Sequence, residues 1–263
     1  MIAHARVSAK DQPNPLPTSL ARPEPVEGRP TVDACRARFW PAVALLLTMM
    51  SAGCGSSGAV PDVAPGPQGP PRAKVVFFGD SLTAGHGLDR SEAYPALLQA
   101  KLDEARLPFE AVNAGVSGDT TADGTRRLDW VLSRGADLMV VELGANDGLR
   151  GGSLEAARKN LAEILTRIRA RAIPIVLVGM RIPPNYGPDY SEKFHAMYPS
   201  LAKEFGVPFV EFLLDGVGGR ADRTLPDGIH PNAAGQRVMA DTVWKTLEPV
   251  LRSLAAQKLA GKP

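Results

Sequence analysis

The stretch from which the fold can be read is Lys74-Val75-Val76-Phe77-Phe78-Gly79-Asp80-Ser81-Leu82-Thr83. Four β-branched or aromatic residues in a row, ended by a glycine, are typical of a short buried strand. Polar residues follow at once, so the chain passes there from the interior of a sheet to its edge. The stretch therefore predicts a core strand over 74–78 whose carboxyl end carries Asp80 and Ser81.

Strand-like and helical segments alternate along the rest of the chain. Further strands are predicted at 109–112, 137–143, 174–178 and 208–212, and helices at 94–106, 121–133, 154–172, 190–205 and 232–251. In 154–172, apolar residues recur at helical spacing with arginine and glutamate between them. This alternation indicates a parallel sheet with helices on both faces, and five strands predict a flavodoxin-like, three-layer α/β/α domain.

Polar residues beside glycine follow four of the five predicted strands. They lie at 79–83, 113–120, 144–147 and, beyond a loop, 227–231. In doubly wound sheets, ligands bind beyond the carboxyl ends of the strands. Because these four segments share one edge of the sheet, the sequence places the chemistry there.

Ser81, Asp227 and His230 supply the parts needed for ester hydrolysis at that edge. A serine hydroxyl is a poor nucleophile until a base takes its proton. Asp227 lies three residues before His230, so its carboxylate can reach one ring nitrogen while the other faces Ser81, as in a catalytic triad. The candidate oxyanion donors are the backbone N–H groups of Ser81 and Gly115 and the side-chain amide of Asn146.

The same residues resemble the sequence blocks of the SGNH (GDSL) hydrolases. Gly79-Asp80-Ser81-Leu82 matches the Gly-Asp-Ser-Leu block, and Gly115, Asn146 and the Asp227–His230 pair follow in the family's order, over about residues 73–250. Residues 113–120, 181–187 and 198–205 look like the bacterial subgroup described as thioesterase I, lysophospholipase and arylesterase. One four-residue block is a weak signal, whereas four blocks in order are specific.

The resemblance implies a serine esterase that hydrolyses small acyl or aryl esters, or thioesters, through an acyl-enzyme. It implies Ser81 as nucleophile, His230 as base and then acid, and Asp227 as the group that orients His230. It also implies an oxyanion hole of Ser81, Gly115 and Asn146. A loop is expected to line the acyl-binding groove with Arg181, Ile182, Pro183, Pro184 and Tyr186. Neither a cofactor nor a metal is expected.

Two other functions use the same residues. A carbohydrate O-deacetylase would have the same catalytic groups in a shallow polar pocket, although the loop 181–186 favours acyl or aryl substrates. The second alternative is a non-catalytic glycan- or lipid-binding lipoprotein with a decayed site. The presence of Ser81, Asn146, Asp227 and His230 argues against it. Asp80 either orders the nucleophile turn, residues 79–83, or caps the next helix. His86 is expected in a surface turn, and His195 is expected to be structural.

The composition divides the chain into two parts. It has 263 residues and a net charge of +2, which gives no excess of positive charge for nucleic acid. Half of its 24 prolines lie in residues 1–71. We expect a disordered leader or a mis-assigned start at 1–35, an export signal at 36–54, a flexible linker at 55–71 and the hydrolase domain at 72–263.

The segment 36–54 predicts export. Arg36 and Arg38 precede an apolar run, 39–50, and Ser51-Ala52-Gly53-Cys54 follows. This is the pattern of a secretory signal, and the run is too short for a comfortable transmembrane helix. Its end resembles the bacterial lipobox, which implies lipidation of Cys54 and a periplasmic, outer-membrane lipoprotein. An ordinary signal peptide cut near Ala52 and an uncleaved anchor are the alternatives, and the oligomeric state is not indicated.

Overall fold

A five-stranded parallel sheet forms the centre of the molecule in the computed structural model, which describes residues 72–260. The strands are β1 (Ala73–Gly79), β2 (Phe109–Asn113), β3 (Leu138–Glu142), β4 (Ile175–Val178) and β5 (Phe209–Val210), in the order β2-β1-β3-β4-β5. Each lies within or close to its predicted range, so the predicted fold class is confirmed. The predicted leader, signal and linker, with Cys54, lie outside the described residues.

The described part of the chain has seven α-helices, which are listed here with their bounds: α1 (Ser81–Ala84), α2 (Tyr94–Glu104), α3 (Thr121–Leu132), α4 (Ala145–Leu149), α5 (Leu154–Arg169), α6 (Pro188–Phe205) and α7 (Ala233–Ala260). Helices α2 and α7 contact each other on one side of the sheet, while α5 contacts both α3 and α6 on the other. The five longer helices were predicted, although α7 runs beyond the predicted end. The two short ones were not, because four or five residues cannot display a helical period.

The core lies on both faces of the sheet because the central strands are covered on both sides. Residues 75–79 of β1 and all of β3 and β4 are buried. Most of these side chains are valine, isoleucine, leucine or phenylalanine, and burying one contributes about 1.5–3 kcal/mol. Glu142, at the carboxyl end of β3, is the one residue with an ionisable side chain among them. Within residues 72–260, no helix combines the length and apolarity needed to cross a bilayer.

Candidate active site

The turn after β1 places Ser81 at the carboxyl edge of the sheet. Asp80 is the N-cap of α1, and its Oδ1 accepts a hydrogen bond from the Leu82 N–H at 3.0 Å. Gly79 allows the close approach of the next helical turn, since a Cβ there would lie 2.1 Å from Thr83 Oγ1. Among the described residues, the Ser81 N–H has no hydrogen-bond acceptor. The turn therefore presents both the Ser81 hydroxyl and a free backbone donor.

Ser81, His230 and Asp227 form one hydrogen-bonded line. His230 Nε2 lies 3.0 Å from Ser81 Oγ, and His230 Nδ1 lies 2.7 Å from Asp227 Oδ2. Asp227 Oδ1 also accepts the backbone N–H groups of Ile229, at 2.9 Å, and His230, at 3.0 Å. Hydrogen bonds from the His230 side chain, the His230 backbone and Ile229 lower the pKa of Asp227 from 3.8 to about 2. An ionised Asp227 accepts a hydrogen bond from the N–H at Nδ1, which leaves Nε2 free to accept a hydrogen bond from the Ser81 hydroxyl.

Asn146 reaches the same edge from α4. Helix α4 begins after Gly144, whose φ of +115° is a backbone conformation that glycine adopts readily. The Asn146 Nδ2 group donates to the Asp119 carbonyl at 2.9 Å and to Asp80 Oδ2 at 3.4 Å. The amide is thus held between the nucleophile turn and the loop 113–120.

Gly115, a predicted oxyanion donor, already has an acceptor in the structure. Its N–H donates to Asn113 Oδ1 at 2.9 Å, so this donor is already occupied. A Cβ at position 115 would lie 2.3 Å from the Ala84 nitrogen, which indicates that this glycine is needed for close packing against α1. Gly118, in the same loop, has a φ of +87°, and its N–H has no acceptor among the described residues. Among the described residues, the backbone N–H groups of Ser81 and Gly118 therefore have no acceptor, whereas the donors of Gly115 and Asn146 do. The oxyanion role of Gly115 stays a prediction.

Arg127 was not singled out from the sequence, although it fixes the loop 113–120. From α3 its guanidinium donates to the Gly79 carbonyl and the Ala114 carbonyl, each at 2.8 Å, and pairs with Asp119. It also lies 4.2 Å from the centroid of the Phe78 ring. A single arginine thereby joins the end of β1 to the loop that carries Gly118. A charged residue on a helix usually indicates a solvated face, so the sequence held no signal for this contact.

Comparison with known proteins places the chain in a family. Residues 77–238 match the model of the GDSL-like lipase/acylhydrolase family. The chain belongs to this family. This hydrolase is 42% identical to "Esterase TesA" of Pseudomonas aeruginosa over 178 residues, which are 67% of this chain and 89% of that protein. It is 40% identical to "Thioesterase 1/protease 1/lysophospholipase L1" of Escherichia coli strain K12, covering 67% and 84%. A crystal structure of TesA superposes with a TM-score of 0.65 at 41% identity, covering 67% of this hydrolase and 98% of that chain.

Part of the predicted substrate loop packs beside the helix that carries Asn146. Ile182 is buried, and its Cγ2 would lie 2.8 Å from a Cβ at Gly148. The Tyr186 hydroxyl donates to the Leu149 carbonyl at 2.8 Å. Both contacts join the loop of the hydrolase to α4. An acyl groove at this place stays a prediction.

The other residues of that loop have different surroundings. Arg181 lies 3.3 Å from a Glu211 carboxylate oxygen, which also lies 3.0 Å from His195 Nε2. Pro183 and Pro184 are exposed. The structure thus gives Arg181 and His195 a shared carboxylate partner, and no contact of either with Ser81 or His230 is observed within residues 72–260.

His86 lies beside the catalytic histidine candidate, a contact that the sequence did not suggest. It is exposed in the turn after α1, as predicted, but its ring centroid is 4.4 Å from that of His230, with the planes tilted by 40°. Its Nδ1 lies 3.5 Å from Ser117 Oγ. His86 lies five positions after Ser81 in the chain, and only the folded turn brings its ring against that of His230.

Proposed function

We propose that this hydrolase is a serine esterase that cleaves acyl esters and thioesters through an acyl-enzyme. The observation that carries the proposal is the continuous line of hydrogen bonds from Asp227 through His230 to Ser81. The relatives named as an esterase and as a thioesterase/lysophospholipase support the reaction class.

Each group in the line has one task in the proposed mechanism. Ser81 Oγ attacks the ester carbonyl as His230 Nε2 takes its proton, and ionised Asp227 stabilises the imidazolium that forms. His230 then gives that proton to the leaving alcohol or thiol, which departs and leaves an acyl group on Ser81. Water attacks the acyl group in the same way, with His230 again acting first as base and then as acid.

The oxyanion of each tetrahedral intermediate is proposed to face the Ser81 N–H, the Asn146 amide and a backbone N–H of the loop 113–120. In that loop the Gly118 N–H has no acceptor, while the Gly115 N–H predicted from the sequence donates to Asn113 Oδ1. Asn146 can exchange its long 3.4 Å contact with Asp80 for the oxyanion and keep its 2.9 Å bond to the Asp119 carbonyl. Gly115 can likewise exchange Asn113 Oδ1 for the oxyanion, so it stays the predicted donor, with Gly118 three residues further along the loop.

The relatives named as an esterase and as a thioesterase/lysophospholipase favour acyl groups as the substrate of this site. Val116 and Ile229, the neighbours of Gly115 and His230 in the chain, are exposed apolar side chains that we propose to contact the acyl or aryl group. We therefore expect turnover of p-nitrophenyl acyl esters and acyl thioesters. If only acetylated sugars are cleaved, the acyl or aryl substrate class is wrong and the protein is a carbohydrate O-deacetylase.

Covalent labelling with a fluorophosphonate tests the nucleophile. We expect the wild-type chain to be labelled and Ser81→Ala to be unlabelled and to lack esterase activity while remaining folded. Ser117→Ala is the matched control because Ser117 is an exposed serine close to His86, and it should be labelled as the wild type is. Absence of labelling in folded wild type, or labelling of Ser81→Ala, would overturn the assignment.

We also propose export and lipidation of Cys54, on the sequence of 36–54 alone. Metabolic labelling with palmitate in a bacterial host should label the full chain and the Cys35→Ala variant, but not Cys54→Ala. Cys35 is the matched control because these two are the only cysteines in the sequence. If the wild type is not labelled, lipidation of Cys54 is overturned, and an ordinary signal peptide or an uncleaved anchor is the remaining interpretation of 36–54.

A further inference from the structure

Two carboxyl groups are buried at the turn that carries Ser81, residues 79–83: Asp80 lies in this turn and Glu142 at the end of β3. Asp80 and Glu142 are both fully buried. Within residues 72–260, no lysine or arginine pairs with either of them. Burying a carboxylate without a cation is costly, and two neighbouring ionised carboxylates repel each other. A pair in this position therefore retains a proton.

The hydrogen bonds of the two side chains indicate which one holds it. Asp80 accepts at both oxygens, from Leu82 N–H at 3.0 Å and from the Asn146 amide at 3.4 Å. Glu142 accepts only at Oε2, from the Thr83 hydroxyl at 2.7 Å and from the Asp80 N–H at 3.4 Å, whereas its Oε1 is buried without a partner. An oxygen that carries a proton needs an acceptor rather than a donor. Asp80 is the residue whose backbone N–H contacts Glu142 Oε2 at 3.4 Å, and the charge of its carboxyl acts on Glu142.

We propose that Glu142 is a neutral carboxylic acid that donates its proton to ionised Asp80, and that this acid pair positions the nucleophile turn and the Asn146 amide. The proposal rests on the esterase function above, to which it adds two positioning residues. Through Leu82 the pair holds the first turn of α1, which carries Ser81. Through Asn146 it positions an oxyanion donor in the free enzyme, before the oxyanion takes the place of Asp80. Neither carboxyl touches the substrate.

The contacts of Glu142 determine which group donates in each hydrogen bond around it. Thr83 donates its only hydroxyl proton to Glu142, so the Tyr94 hydroxyl, 3.0 Å from Thr83 Oγ1, must donate to Thr83. The chain then runs from Tyr94 through Thr83 and Glu142 to Asp80. Each member donates once to the next, and the negative charge ends on Asp80, next to the catalytic groups.

The electrostatics of the pair agree with this assignment. Burial raises the pKa of Asp80 from 3.8 to about 6, opposed by the hydrogen bond from Leu82 and by the charge of His230. Burial, and then the charge of Asp80, raise the pKa of Glu142 well above its usual value. The other titratable groups that face the pair are His230, Asp119, Asp147, Tyr94 and Tyr198. Above about pH 6 Asp80 is therefore ionised, and we assign the remaining proton of the pair to Glu142.

Infrared spectroscopy of the full-length protein tests where the proton is. At pH 8 we expect the C=O stretching band of a protonated carboxylic acid in the wild type, shifted in heavy water and absent in Glu142→Gln. Asp137→Asn is the matched control, because Asp137 immediately precedes β3, at the end opposite Glu142, and pairs with Lys258. Its spectrum should keep the band.

Kinetics test the positioning role. In Glu142→Gln the amide can donate to Asp80 while its oxygen accepts from Thr83, so kcat should stay within about fivefold of wild type, the factor for one ordinary hydrogen bond. Asp80→Asn loses the charged acceptor, which misplaces Ser81 and the Asn146 amide. We therefore expect kcat to fall about 10²-fold while KM stays unchanged. Rates are expressed per Ser81 that reacts with fluorophosphonate, which removes any unfolded fraction.

The outcomes separate this proposal from the esterase function. A wild type without the band, a band that survives in Glu142→Gln and disappears in Asp80→Asn, or an Asp80→Asn variant with the wild-type kcat per labelled site would each overturn the acid pair. A wild type that is neither labelled nor active would overturn the esterase function, while the infrared band would still decide the proton assignment.

Discussion

The exchange Asp227→Asn should abolish most of the activity of this hydrolase and leave its fold nearly unchanged. Asparagine keeps Oδ1, so it can still accept the N–H groups of Ile229 and His230 that shape the turn. Its amide nitrogen then faces His230 Nδ1, where the carboxylate oxygen now lies at 2.7 Å. His230 must accept there and carry its proton on Nε2, which can no longer accept from Ser81. The same exchange in another serine triad lowers kcat about 10⁴-fold, or about 5 kcal/mol.

The expected cost in folding free energy is far smaller. The lowering of the pKa of Asp227 from 3.8 to about 2 corresponds at full value to about 2 kcal/mol. The Asp227 side chain is 41% exposed, so solvent screening reduces this to about 1 kcal/mol or less. Because the pKa is lowered, the stabilisation is present above about pH 4 and is lost as the pH falls through about 2. The difference in stability between wild type and variant should therefore vanish in strong acid.

Two measurements check this prediction together. Hydrolysis of a p-nitrophenyl ester gives kcat, and urea unfolding at pH 7 gives the free energy of unfolding. Asp222→Asn is the matched control, because Asp222 lies in the same region but pairs with Arg220 at the surface, and it should keep kcat within about twofold. A kcat of Asp227→Asn within tenfold of wild type, in folded protein, would show that Asp227 does not orient His230.

Three further substitutions test the surroundings of the triad. Asn146→Ala should lower kcat by about 10²–10³-fold if the amide binds the oxyanion, measured with the same ester; a change of only a few-fold would remove it from the hole. Gly115→Ala should lower the free energy of unfolding by about 1–3 kcal/mol in urea, because its Cβ would meet the Ala84 nitrogen at 2.3 Å; unchanged stability would contradict the packing role. His86→Ala should lower kcat/KM about two- to tenfold through loss of stacking on His230, and wild-type kcat/KM would show that the stacking is inconsequential.

Most of the fold could be predicted because it depends on local periodicity. The apolar runs that became β1 and β3 are short, bounded and separated by helices, and parallel sheets buried on both faces produce this pattern. Asp227 and His230 lie in one turn, so their contact is also local. Their contact with Ser81, across 149 residues of chain, was predicted from strand ends and from the family's sequence blocks.

The sequence by itself determined the order of strands and helices, the edge at which chemistry occurs and the residue types able to perform it. Only the tertiary structure decided which donors are free: it commits the Gly115 N–H to Asn113 and leaves that of Gly118 without an acceptor. It also decided that Glu142 is buried against Asp80. The physical reason is that hydrogen-bond occupancy and desolvation depend on groups brought together from distant parts of the chain, which local sequence patterns do not encode.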